Sequence, residues 1–181
     1  MSKGKIFRDA MKRGMVAAPG CFDCITARSI ERAGFEAVYM TGAGTAASLG
    51  YPDYGLVTMS EMADNAGRIA TAIKLPVIAD ADTGYGNELN AIRTVREYEK
   101  RGVAGIHIED QGFPKKCGHL EDKTIAPLED YVAKIRAAVS AIRSRSSPSR
   151  SDALASRRNR AICKCAETRA SNSLALNGFT R

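Results

Sequence analysis

The amino-acid sequence predicts an α/β protein of the parallel (β/α)8 barrel type, in incomplete form. Short, almost continuously apolar segments alternate with longer helical patterns, and this β-loop-α unit recurs about every 25 to 30 residues through residues 1–142. Polar residues and glycines collect just after each apolar segment, as they do at the functional face of a barrel. A complete barrel takes about 250 residues, so these roughly four units predict only part of one.

Six of the eight predicted elements have a signal at one of their boundaries. The first strand closes with Pro-Gly, and the second runs into a glycine-rich loop. Gly34 and Gly102 are stop signals for two helices, Pro127 suits the start of another, and Thr58 or Ser60 opens a fourth. The predicted strands cover 15–20, 36–44, 75–86 and 103–112, and the predicted helices cover 24–34, 58–73, 87–102 and 126–142.

The residues that follow the strands favour a barrel over an open sheet. An open, doubly wound sheet also binds ligands at its strand ends. However, no Gly-x-Gly-x-x-Gly follows the first strand, and TGAGTAASLG does not match a phosphate-binding loop. The strand-end residues are Gly20 and Asp23, then residues 41–44, 80–86 and 109–119.

Charge is distributed unevenly along the chain. Residues 1–142 contain 18 Lys+Arg and 18 Asp+Glu, whereas residues 143–181 contain 9 Lys+Arg and 2 Asp+Glu, which accounts for the net charge of +7. Nucleic-acid binding is therefore not expected of the main domain. The sequence contains no apolar run of the roughly 20 residues that span a membrane and no signal-peptide pattern, so a cytoplasmic location is the expectation.

Residues 143–181 break the β/α pattern. Eight serines and eight arginines leave no convincing strand and only weak helical periodicity. We therefore predict two parts, a β/α domain over 1–142 and an irregular basic tail over 143–181.

Asp80 and Asp82 indicate a metal site. They alternate at the end of a strand, so their side chains point the same way, and Glu109 lies at the equivalent end of the next strand. Oxygen ligands of this kind suit Mg²⁺, and Mn²⁺ is an alternative. Acids that merely solvate a turn are an equally open interpretation.

The segment FPKKCGHLED surrounds Cys117 with Lys115, Lys116 and His119. Nearby cations lower the pKa of a thiol and favour the thiolate, so Cys117 is a candidate acid, base or nucleophile. An inert cysteine remains the alternative. Zinc binding by the cysteine pairs 21/24 and 163/165 is disfavoured, because the two pairs lie in different parts of the chain.

Five segments together resemble the isocitrate lyase/phosphoenolpyruvate mutase superfamily, and above all its short lyases of the methylisocitrate and dimethylmalate type. They are PGCFDCITAR, VYMTGAGTAASLGYPDYGL, VIADADTGYGN, GIHIEDQGFPKKCGHL and RAAVSA, and the resemblance extends over about residues 15 to 142. It implies a Mg²⁺-dependent lyase that cleaves a C–C bond in a 2-hydroxy or related polycarboxylate. The resemblance also implies relatives that are homo-oligomers.

The resemblance also implies a role for individual residues. Cys117 would protonate the carbanion-like product, His119 and Lys116 would act with it in catalysis by binding and polarising that product, and Tyr39 matches a proposed base. The implied metal site consists of Asp80, Asp82, Glu109 and Asp53, and the implied substrate contacts are Thr41, Gly42, Ala43 and Gly118.

The resemblance weakens after residue 142. SRSDALA (149–155) retains Arg150, which corresponds to a substrate-binding arginine, but the apolar strand that should precede it is absent. The expectation is a truncated or frame-disrupted product without the helices that relatives use in oligomers. A C–P mutase of the same superfamily, or a non-catalytic fragment whose basic tail binds nucleic acid, is the alternative function.

Overall fold

The computed structural model describes residues 1–142. The predicted tail, and with it Arg150, Cys163 and Cys165, lies outside the described residues. No helix within the described range is long and apolar enough to cross a membrane. The helices are α1 (Lys3–Arg13), α2 (Cys24–Arg32), α3 (Gly42–Ser48), α4 (Met59–Ala72), α5 (Glu88–Lys100) and α6 (Leu128–Ala141), and the strands are β1 (Gly20–Cys21), β2 (Val38–Met40), β3 (Val77–Asp80) and β4 (Gly105–His107).

The four strands form one parallel sheet in the order β1-β2-β3-β4. Gly20 pairs with Tyr39 across the first two strands, and Asp80 pairs with His107 across the last two. Strands that are consecutive in the chain are thus neighbours in the sheet, as in a β/α barrel. The predicted parallel α/β fold is confirmed, although the first strand lies at Gly20–Cys21 rather than over 15–20.

Two helices were not predicted. Helix α1 begins after Ser2, whose hydroxyl accepts a hydrogen bond from the Lys5 amide at 3.3 Å. Helix α3 replaces the predicted glycine-rich loop, and a Cβ on Gly44 would lie 2.8 Å from Cγ2 of Thr41. Gly44 therefore serves close packing within a helix, whereas the sequence signal of two nearby glycines indicated a turn.

The core lies between the sheet and the helices that cover it. Side chains from β2, β3, α4 and α5 are fully buried there, and most are aliphatic. Tyr98 on α5 is 1% exposed, and its hydroxyl donates to the backbone carbonyl of Asp80 at 3.0 Å. The core therefore extends directly to the end of β3. Its largest members are Met40, Met62, Ile69, Val38, Val77 and Tyr98.

Candidate active site

The carboxyl ends of β2, β3 and β4 meet at one edge of the sheet. Tyr39 lies near the end of β2, Asp80 ends β3 and His107 ends β4. Beyond the strands, the amide of Glu109 donates to the backbone carbonyl of Asp82 at 2.7 Å. The structure thus brings the predicted acids of neighbouring strands together.

Asp80 is held by two backbone amides. Its Oδ1 accepts from the Asp82 amide at 2.9 Å, and its Oδ2 accepts from the Gly42 amide at 3.1 Å. A Cβ on Gly42 would lie 2.6 Å from that Oδ2, so only glycine permits this approach. The Asp80 carboxylate, which is 6% exposed, therefore has a fixed orientation.

The predicted carboxylate-binding residues form the first turn of α3. Thr41 caps the helix by accepting a hydrogen bond from the Gly44 amide at 3.4 Å, and Ala43 is half-buried. The Gly42 amide was predicted to bind substrate, but in this arrangement it already donates to Asp80. Its single N–H is consequently not available to a substrate carboxylate here.

Lys115 joins two of the acids. Its ammonium lies 2.6 Å from Oδ1 of Asp53 and 2.8 Å from Oδ1 of Asp82, and the side chain is 2% exposed. Burial works against the charged ammonium, but the hydrogen bonds to Asp53 and Asp82 outweigh it and raise the pKa of Lys115. Lys115 is therefore a permanent cation among the carboxylates, a role that sequence reasoning missed.

Glu109 carries the most perturbed carboxyl of the site. Burial raises its pKa to about 7; the Lys115 ammonium works against this rise, and the charges of Asp80 and Asp82 add to it. Burial also raises the pKa of Asp82, against the effect of Lys115. The site thus holds more negative charge than one lysine neutralises.

Gln111 connects Glu109 to the loop that follows. Its side-chain amide donates to Oε2 of Glu109 at 2.8 Å and to the Lys116 carbonyl at 2.9 Å, and its oxygen accepts from the Lys116 amide at 3.0 Å. Sequence reasoning did not single out Gln111 as a site residue. The one signal for it is its position directly after Glu109 and Asp110.

The loop with Cys117 lies against the segment that contains Asp53. The Cys117 amide donates to the Asp53 carbonyl at 3.0 Å, and the thiol is free and half-buried. The backbone of Cys117 is thus attached to the segment that contains Asp53, and its catalytic role stays a prediction.

Three other predicted loop residues are not brought to the carboxylates. The Lys116 ammonium faces the carbonyls of Glu121 and Asp122 at 3.5 and 3.4 Å. His119 is exposed, and the carbonyl of Gly118 accepts a hydrogen bond from Lys123 at 2.8 Å. Of the two adjacent lysines it is Lys115 that contacts the site acids, while the role of Lys116 in binding and polarising the product stays a prediction.

Tyr39 lies beside His107 at the end of the sheet. Its hydroxyl is 3.3 Å from Nδ1 of His107. Burial and the charge of Asp80 raise the pKa of Tyr39. In this arrangement Tyr39 keeps its proton at neutral pH. This favours a role of its hydroxyl as a hydrogen-bond donor over the predicted role as a base.

Cys21 and Cys24 are both free thiols. Burial raises the pKa of Cys21 to about 11.

The acids suit a hard divalent cation in their chemistry. They supply oxygen donors and excess negative charge, and Mg²⁺ keeps several waters rather than requiring an all-protein cage. Within residues 1–142, however, no three His, Cys, Asp or Glu side chains converge as a preformed ligand set. The reason lies in the contacts above: Lys115 holds Asp53 and Asp82, and backbone amides hold Asp80. The magnesium site remains a prediction.

Known proteins with this sequence pattern are enzymes of one family. The family model of phosphoenolpyruvate phosphomutase matches residues 7–171. The 2,3-dimethylmalate lyase of Eubacterium barkeri is 60% identical over 126 residues, which are 69% of this chain and 44% of that protein. The 2-methylisocitrate lyase of Aeropyrum pernix is 48% identical over 151 residues, which are 83% of this chain and 49% of that protein.

A solved structure shares the fold as well. The crystal structure of a 2,3-dimethylmalate lyase of the PEP mutase/isocitrate lyase superfamily aligns with a TM-score of 0.74 at 46% identity, over 78% of this chain and 48% of that one. The chain spans about half the length of the curated relatives it matches. The resemblance drawn from the motifs is confirmed, and the chain belongs to the phosphoenolpyruvate phosphomutase family within the isocitrate lyase/PEP mutase superfamily.

Proposed function

We propose that this chain carries the strand-end acids and the cysteine loop of a Mg²⁺-dependent carbon–carbon lyase. The substrate would be a 2-hydroxy or related polycarboxylate of the methylisocitrate or dimethylmalate type, and one product a 2-oxo acid such as pyruvate or glyoxylate. The observation that carries the proposal is the attachment of the Cys117 loop to the acid cluster, through the Cys117 amide and the Lys115 ammonium. Two relatives named as lyases support it.

The proposed cleavage needs one proton acceptor and one proton donor. When the substrate hydroxyl loses its proton, the C–C bond breaks, a carbonyl forms on one fragment, and the electron pair of the bond stays on the carbon of the other. Cys117 would give its proton to that carbon. The candidate acceptors are Glu109, whose pKa burial raises to about 7 in the metal-free site, and Tyr39, the base that the resemblance implies.

Asp80, Asp82, Glu109 and Asp53 are the residues that would hold the divalent cation. When bound, such an ion stabilises negative charge that develops on a substrate oxygen. The residues around it have separate tasks. The amides of Gly42 and Asp82 keep the Asp80 carboxylate oriented, and Gln111 keeps Glu109 against the cysteine loop.

A coupled assay tests the proposal. The full chain is incubated with 2,3-dimethylmalate or 2-methylisocitrate, with Mg²⁺ or with EDTA, and 2-oxo acid is measured through its reduction by NADH. We expect Mg²⁺-dependent release, reduced about 100-fold or more in Cys117→Ser because the proton donor is lost. Cys24→Ser is the matched control and should retain the parent rate. Absence of turnover in folded protein, or full activity of Cys117→Ser, would contradict the proposal.

The family description favours one second candidate, a mutase that acts on a C–P bond. Such a chain would convert a phosphonate that is offered in the same series of assays. Phosphorus NMR would detect this conversion as loss of the phosphonate signal. If the chain converts a phosphonate and cleaves neither hydroxy acid, its proposed function changes from lyase to mutase.

A further inference from the structure

Lys115 is the one buried cation of the described residues. Its side chain is 2% exposed, and no other lysine or arginine within 1–142 is buried. A buried ammonium is costly unless carboxylates compensate it, and here Asp53 and Asp82 do so at 2.6 and 2.8 Å.

The same two carboxyl groups belong to the proposed metal site. Oδ1 of Asp53 and Oδ1 of Asp82 each accept a short contact from Lys115. A divalent cation at these acids would approach the ammonium closely, and two positive charges in a poorly solvated site repel strongly. The lysine and the ion therefore compete for the negative charge of the same two carboxylates.

The ion pairs of Lys115 also affect the position of the loop that contains Cys117. Lys115 lies two residues before Cys117, whose amide donates to the carbonyl of the same Asp53 that pairs with Lys115. The lysine stem also packs closely against Gly55, where a Cβ would lie 3.3 Å from Cγ of Lys115. The ion pairs thus hold the beginning of the loop against the acids.

We propose that Lys115 is a built-in cation of the metal-free site, which a divalent ion displaces from Asp53 and Asp82. The ammonium keeps the acids together until the ion arrives, and its release gives the ion access to their oxygens. This inference rests on the proposed metal site but not on the proposed carbon–carbon cleavage.

Metal affinity tests the inference without any assay of activity. Free and bound Mn²⁺ are measured by electron paramagnetic resonance for the full chain, for Lys115→Met and for Lys116→Met. Loss of the competing ammonium leaves two unpaired carboxylates, so Lys115→Met should bind Mn²⁺ about tenfold tighter or more. Lys116→Met is the matched control, because Lys116 faces loop carbonyls, and it should bind as the parent does.

A second measurement uses the unaltered chain, in case Lys115→Met does not fold. Lysines are acetylated briefly with and without Mg²⁺, and the modified sites are read by mass spectrometry. Displacement exposes the ammonium, so labelling of Lys115 should rise with Mg²⁺ and fall again with EDTA. Labelling of Lys116 should stay constant.

The outcomes separate this inference from the proposed function. Unchanged or weaker Mn²⁺ binding by Lys115→Met, or labelling of Lys115 that does not respond to Mg²⁺, overturns the inference alone. If neither the parent nor Lys115→Met binds Mn²⁺, the proposed metal site is overturned together with it.

Discussion

Glu109 illustrates how the surroundings of one residue set its protonation. Its carboxyl would have a pKa of 4.5 in water, and burial among other acids raises that value to about 7. Between these two values the folded chain binds a proton that the unfolded chain releases. This residue therefore makes folding less favourable as the pH rises from 4.5 to 7.

Replacing Glu109 by Gln should remove that dependence. The amide carries no charge at any of these pH values and can still accept the hydrogen bond from Gln111. Relative to the parent, Glu109→Gln should gain about 1 to 2 kcal/mol in free energy of unfolding between pH 4.5 and 7.5, allowing for the partial exposure of the carboxyl. Urea unfolding in EDTA at several pH values measures this.

Glu99→Gln, on helix α5, provides the control for this change. An exchange on this helix, outside the acid cluster, should give a small and nearly constant difference over the same pH range. A constant difference for Glu109→Gln would contradict the assigned environment.

Helix boundaries follow from local sequence, as α4 illustrates. Thr58 and Ser60 were alternative openings for this helix, and the structure selects Thr58. Its hydroxyl accepts from the Glu61 amide at 3.4 Å, while the Glu61 carboxylate accepts from the Thr58 amide at 2.8 Å. This reciprocal pair is a capping box, which satisfies two donors that the first turn leaves open.

Removal of this cap should destabilise the chain. Thr58→Ala should lower the free energy of unfolding by about 1 kcal/mol, since the Glu61 amide loses its acceptor. Ser60→Ala, two positions later on the exposed side of the same helix, should change it by less than about 0.5 kcal/mol. Urea unfolding followed by circular dichroism compares the two, and equal effects would argue against Thr58 as the cap.

At the scale of the whole molecule, one continuous core joins the sheet to its covering helices. Ile69 on α4 is fully buried in it, and Tyr98 connects it to the carbonyl of Asp80. Residues around the site and residues in the core should therefore lose their structure together.

Truncation of a core side chain should affect the entire described domain. Ile69→Ala should cost about 2 to 5 kcal/mol because it removes buried surface and leaves a cavity. Circular dichroism and tyrosine fluorescence should report the same shifted urea midpoint. Ile25→Ala, at a position that is 76% exposed, should shift it little. Separate midpoints for the two signals would refute a single cooperative core.

The order of elements and the position of the acids were predictable from sequence alone. Parallel strands buried on both faces need nearly continuous apolar segments, and polar residues that follow them must lie at one edge of the sheet. Asp80, Asp82 and Glu109 were found in this way. Helix α3 was not, because its two glycines indicate a turn unless the contacts of Gly42 with Asp80 and of Gly44 with Thr41 are known.

The contacts of the acids were decided only by the tertiary structure. Lys115 and Lys116 are adjacent and chemically identical, so no sequence pattern tells which one is buried. The choice depends on Asp53, 62 residues earlier in the chain, and on Asp82 after β3, which come together only when the sheet forms. The sequence by itself determined which chemical groups lie at this edge, while long-range packing decided which of them pair, because pairing energy depends on distances that only the folded chain sets.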